Sequence, residues 1–69
     1  MIRVRLSAIL GSRRIKMAEV ARATGVSTTT VFNLYHEKVS AVSFDVLGKL
    51  CEFLQCQPGD ILEWEPDRE

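Results

Sequence analysis

Thr28, Thr29, Phe32 and Asn33 are spaced so that a helix beginning near Ser27 carries all four on one side, whereas Val31 and Leu34 of the same stretch fall on the other. Two hydroxyls, a carboxamide and a ring in one row form a surface suited to reading hydrogen-bonding edges. An Asn amide pairs bidentately with an adenine edge, a Thr hydroxyl bonds a base edge or a phosphate, and ring or methyl carbons touch thymine methyls. Presented on a helix, that chemistry is the reading of a DNA major groove. Stability alone does not recommend the row. Three consecutive β-branched residues, Thr28 to Thr30, are poor helix formers, and an exposed Phe32 costs solubility unless a partner covers it. An ordinary helical hairpin with a solvated threonine-rich start is the plainer alternative, and it accounts for neither feature.

Catalytic chemistry lacks its parts. His36 is the sole histidine, no Ser or Cys stands at a recognisable spacing from a base, and no glycine-rich phosphate loop is present. An enzyme is therefore not expected. Cys51 and Cys56 are five apart with only His36 as a further soft ligand, so a four-ligand zinc site would have to recruit carboxylates. No metal, cofactor or small-molecule ligand is expected. Cys51 falls in register with an apolar stripe and reads as a small core hydrophobe, with a redox switch as the alternative.

The elements that must position the row follow from periodicity. Met17 to Thr24 predicts a helix with Val20, Ala21 and Met17 inward and Glu19 and Arg22 outward. Gly25 ends it where a left-handed residue is wanted, Val26 packs beneath the turn, and Ser27 caps the next helix. Ala21 is the small residue that lets two helices joined by so short a turn cross closely. Before this pair, Leu6, Ile9 and Leu10 predict a first helix that loosens at Gly11 and Ser12. After it, a polar connection from His36 to Ala41 leads to a fourth helix capped by Ser43. Its apolar positions are Phe44, Leu47, Leu50, Cys51 and Leu54, with Phe53 widening the stripe. Gln57-Pro58-Gly59-Asp60 is turn chemistry, Pro58 opening one short helical turn before Ile61 and Leu62 return to the core. Ile2, Val4 and Leu6 alternate with Arg3 and Arg5, and Leu62 and Trp64 with Glu63 and Glu65. An antiparallel ribbon of these two segments would set Arg3 and Arg5 against Glu63 and Glu65. Whether it closes within one chain or between two stays open.

Sixty-nine residues make one domain, and 46% apolar with 26% charged residues describes a chain that folds. No signal-like or membrane-length apolar block is present, so a soluble cytoplasmic protein with no membrane partner is expected. Net charge is zero, yet residues 1–38 carry seven Lys and Arg against two Glu, and residues 39–69 carry two against seven acids. That split suits one face turned to a polyanion.

From Glu19 to Ser27 (EVARATGVS), and at Val31, Leu34, Lys38, Phe44, Leu47, Leu50, Cys51 and Leu54, the sequence resembles the Cro/repressor helix-turn-helix family, often called the XRE family. The resemblance covers about residues 5–62, with the helix-turn-helix at about 17–36. The ending from Cys56 to Glu63 is similar to a compact bacterial branch with short flanking strands. What the resemblance implies is an all-α, four- to five-helix lambda-repressor-like domain with a short terminal β-ribbon, acting in bacterial or phage transcription control with its third helix, about 27–36, in the major groove. Its DNA-binding positions fall on Lys16, Met17, Ser27, Thr28, Thr29, Phe32, Asn33, His36 and Lys38, the last as a phosphate contact. Two places depart from the family: Lys16-Met17 replaces the usual Thr-Gln, so a donor is lost at Met17, and His36-Glu37 replaces the usual Asn-Gly, where Glu37 would repel phosphate. These departures, and to a small degree the zero net charge, are the evidence for an alternative to DNA binding: a protein-interaction module on the same fold, antitoxin-like or a regulator's partner. One domain contacts one half-site, so a homodimer or a tandem partner is expected on DNA, through the terminal strands or the face containing Trp64.

Overall fold

The computed structural model describes residues 1–67; Arg68 and Glu69, counted above in the acidic half, lie outside the described residues. In chain order the elements are β1 (Ile2–Val4), α1 (Leu6–Arg13), α2 (Met17–Thr24), α3 (Thr28–Tyr35), α4 (Phe44–Leu54), α5 (Pro58–Ile61) and β2 (Leu62–Trp64). The expected helices and ribbon are all present. Leu6, Leu10, Val20, Ala21, Val26, Val31, Leu34, Leu50, Leu54 and Ile61 are buried, so every helix contributes to one core. Each buried Leu, Ile or Val among them contributes about 1.5–3 kcal/mol by leaving water.

Caps explain where the helices begin. Ser27 Oγ accepts the Thr30 N–H at 3.1 Å, and Ser43 Oγ accepts the Val46 N–H at 3.1 Å. Pro58 opens α5, and the Asp60 carboxylate accepts the Gln57 N–H at 2.9 Å. The helix ends are less expected. Gly25 is left-handed as predicted (φ 76°), but α1, α3 and α4 also close through left-handed residues, and these are Arg14 (φ 55°), Glu37 (φ 57°) and Gln55 (φ 53°). Each closes a Schellman turn, in which the next N–H reaches back to the last turn's carbonyl: Ile15 to Leu10 at 2.9 Å, Lys38 to Asn33 at 2.7 Å and Cys56 to Cys51 at 3.1 Å. A side chain in this region costs about 1–2 kcal/mol, which the satisfied carbonyls offset.

One expected core position is not in the core. Phe44 is 91% exposed. It is the first residue of α4, and helical side chains lean toward the N-terminus over the preceding turn; α4 has no preceding turn, so the ring projects beyond the helix end. Phe53 also lies at the margin of the stripe, 36% exposed, whereas Leu47 and Cys51 pack against the core.

The ribbon closes within one chain. Ile2 pairs with Trp64, Arg3 with Glu63 and Val4 with Leu62, and the Glu65 N–H donates to the Met1 carbonyl at 2.8 Å. Alternation places Ile2, Val4, Leu62 and Trp64 on one face. Arg5 meets the expected acids, Glu63 at 2.6 Å and Glu65 at 2.7 Å. Arg3 lies 3.6 Å from Glu65 but takes its close partner elsewhere, on Glu37. At the opposite end the Arg13 guanidinium donates to the Leu54 carbonyl, tying the end of α1 to the end of α4.

Leu50→Ala should lower the unfolding free energy by about 3 kcal/mol, because Leu50 is wholly enclosed. Phe44→Ala should change it by less than about 0.5 kcal/mol. Urea unfolding followed by circular dichroism measures both, and a large loss at Phe44 would contradict its exposure.

Candidate nucleic-acid interface

The turn that aims α3 is wired by its own residues. The Thr24 hydroxyl donates to the Val20 carbonyl at 2.6 Å and accepts the Val26 N–H at 3.2 Å. The Gly25 N–H reaches the Ala21 carbonyl at 2.9 Å. A Cβ on Gly25 would meet no atom within 4 Å, so glycine is required there by its left-handed backbone and not by crowding. Val26, buried, then fixes the turn to the core, and Ser27 caps α3 while donating its own hydroxyl to Thr30 Oγ1 at 2.8 Å.

On α3, Val31 and Leu34 point inward with essentially no exposure. The opposite side carries Thr28, Thr29 and Phe32, which line a shallow, largely apolar depression. Asn33 lies half-buried on the flank. Toward the end of the helix the row continues: the Phe32 and His36 rings are 4.4 Å apart, Tyr35 approaches His36 edge-on at 5.0 Å, and Lys38 Nζ lies 5.7 Å from the Phe32 ring centre. Threonine hydroxyls, an aromatic pair and a cation thus form one continuous surface about two turns long. The exposed N-terminal end of α3 adds the partial positive charge of its free N–H groups, with no acid in the first turn to cancel it.

Not every residue expected at this surface is free to join it. Lys16 is exposed at the N-cap of α2, but Met17 is half-buried and packs against the core. Ser27 already spends its hydroxyl on Thr30, as donor and acceptor. The charge pattern also changes on folding. Arg3 and Arg5, part of the basic first half, face Glu37, Glu63 and Glu65. Among the described residues, Arg13, Arg14, Lys16, Arg22 and Lys38 have no carboxylate within 4 Å; Arg13 is bonded to the Leu54 carbonyl, so the free positive charge rests chiefly on the other four.

Sequence reasoning missed the setting of Glu37. Its carboxylate accepts Arg3 Nε and Nη2, each at 2.7 Å, and the Val4 N–H at 3.0 Å. The Arg3 hydrogen bonds, followed by the Val4 N–H, bring its pKa down to about 2 against an opposing desolvation. Thirty-four residues separate the partners, so no local pattern announces the pair. The one available signal was the family's Asn-Gly at positions 36 and 37, which marks a left-handed turn there.

Known proteins agree with this geometry. The family described as the Cro/C1-type helix-turn-helix DNA-binding domain matches residues 5–67. An HTH-type transcriptional regulator of Bacillus subtilis (strain 168), YozG, itself uncharacterized, is 29% identical over 66 residues, covering 96% of this chain and 79% of its own. A crystal structure from Bacteroides fragilis, of a protein to which DNA binding is ascribed, superposes with a TM-score of 0.78 at 25% identity, over 91% of this chain and all of that one. The family match spans nearly the whole chain and the superposition shares its helical fold, and the chain belongs to the Cro/C1-type helix-turn-helix DNA-binding domain family.

Proposed function

We propose that the chain is a bacterial or phage transcriptional regulator that reads double-stranded DNA with α3 in the major groove. The observation that carries this reading is the outward row of Thr28, Thr29 and Phe32, continued by His36 and Lys38, on a helix held from behind by Val31 and Leu34. In it, Thr28, Thr29 and Asn33 read base edges, Phe32 and His36 supply ring contacts, and Lys38 and Lys16 hold phosphates. Ser27 and Met17 act mainly by shaping the surface, Ser27 through its cap and Met17 through its packing. Nothing in this reading calls for catalysis. Among the described residues no helix is long and apolar enough to cross a membrane, which fits a regulator working beside the chromosome in the cytoplasm.

We also propose that two copies act together, each on one half-site. The apolar ribbon face supports this. Ile2 and Trp64 protrude from it, 60% and 68% exposed, and Ile2 also forms one wall of a groove completed by Val4, Val39, Ser40, Ala41, Val42 and Leu62. A knob and a groove on one uncharged patch suit a two-fold contact, in which each copy fills the other. The groove wall from Val39 to Val42 directly follows α3, so a two-fold axis there would set the spacing of the two reading helices.

Affinity for random duplex should fall steeply as salt rises, measured by fluorescence anisotropy. Lys38→Ala should weaken all sequences alike and reduce the salt slope by about one, whereas Asn33→Ala should relax sequence preference once an operator has been selected. A flat slope would instead favour the protein-interaction module. Trp64→Lys should weaken self-association at least about tenfold in sedimentation equilibrium while leaving the circular dichroism spectrum unchanged; an unaltered association constant would remove the ribbon face as the contact.

A further inference from the structure

Glu37 combines two features that are unfavourable where it stands. It is a non-glycine residue in the left-handed region (φ 57°), and it is an acid at the C-terminal end of a helix, where the helix dipole is already negative. It also lies between His36 and Lys38, both in the outward row. A carboxylate free to turn toward bound DNA at that point would meet phosphate.

The structure removes the conflict with a residue of the first strand, at the far end of the chain. Arg3 grips both carboxylate oxygens at 2.7 Å, and the Val4 N–H takes a further bond at 3.0 Å. The same residue's backbone closes α3: the Glu37 N–H reaches the Leu34 carbonyl at 3.2 Å, and the Lys38 N–H reaches the Asn33 carbonyl at 2.7 Å. Held at its side chain by β1 and at its backbone by α3, Glu37 has little freedom left, and the backbone of Lys38 is placed by it.

We propose that Arg3 and Glu37 form a clasp that positions the end of α3 for DNA, turning the Glu37 carboxylate away from phosphate and fixing Lys38 toward it. The clasp rests on the DNA-binding reading above. Arg3 acts within it as a positioning residue and not as a phosphate contact, because its guanidinium is already occupied by Glu37 with Glu65 beside it.

Four proteins test this: wild type, Arg3→Ala, Glu37→Gly and the double variant. Each is titrated with random duplex of about 20 base pairs at about 50 and about 200 mM salt. Arg3→Ala is expected to bind about tenfold more weakly at the lower salt, because it releases a like charge beside the phosphates, and the deficit should shrink at the higher salt. The double variant should return to within about twofold of wild type, since glycine accepts the left-handed turn and carries no charge. A double variant as weak as Arg3→Ala would make Arg3 itself a phosphate contact and overturn the clasp, as would an Arg3→Ala protein that binds like wild type. If circular dichroism shows Arg3→Ala unfolded, the reversed pair Arg3→Glu with Glu37→Arg replaces it: binding at least as tight as wild type at low salt supports the clasp, and a tenfold loss overturns it. A wild type with no salt-dependent binding would instead sink the DNA reading, and the clasp's DNA role with it.

Discussion

Everything at the proposed interface depends on the burial of Val31 and Leu34. α3 has eight residues and starts with three threonines, and isolated helices below about 12 residues are marginal in water even with better formers. The helix therefore exists because its inner side is held, by Val31 and Leu34 in the core and by the Ser27 cap at its start. Once those two side chains point inward, the 3.6-residue repeat leaves Thr28, Thr29 and Phe32 no position but outward. The residues that hold the helix and the residues that present chemistry are thus separated by geometry, and neither set has to compromise for the other.

The core can hold so short a helix because the chain reverses tightly around it. Each of the first four helices stops at a left-handed residue, and two or three residues later the next element begins or the chain has turned. Gly25 accepts that conformation freely, whereas Arg14, Glu37 and Gln55 carry a conformational cost. All three set their amides on carbonyls that would otherwise be orphaned, and the apolar residues after Arg14 and Gln55, Ile15 and Cys56, pack against the core. Glu37 differs from the other two in that its side chain is also tied, to Arg3 of β1. The end of α3 is in this way fixed to an element from the far end of the chain.

Electrostatics follow the same logic of ends brought together. Along the sequence the first half is basic and the second acidic, but β1 and β2 are partners, so Arg5 lies on Glu63 and Glu65 and Arg3, held by Glu37, has Glu65 beside it. These exposed pairs add little stability, about 0–1 kcal/mol each. Their larger effect is on the surface: Arg3 and Arg5 no longer count toward a field that would attract a polyanion, and the residual cations are concentrated in the segment from Arg13 to Lys38.

Local pattern determined a great deal. Periodicity and caps located the helices, Gly25 announced its turn, and the spacing of Thr28, Thr29, Phe32 and Asn33 already marked one face of α3, because helix geometry converts spacing into direction without knowledge of the rest of the chain. The limits appear at particular residues. Phe44 matches the stripe of α4 but projects past its first turn, since periodicity assigns a face and cannot say how far along the helix the core extends. At Met17 and Ser27, by contrast, periodicity and capping chemistry already named the inward packing and the cap that the structure shows, at positions the family resemblance assigns to DNA contact. Glu37 looked like a repulsive charge until a partner thirty-four residues away was placed against it. The sequence by itself determined which side chains share a face and where the backbone turns, because both are set by neighbours within about one helical turn. Only the tertiary structure decided which charges are free and which are paired, because an ion pair is a matter of distance in space, and residue order does not contain it.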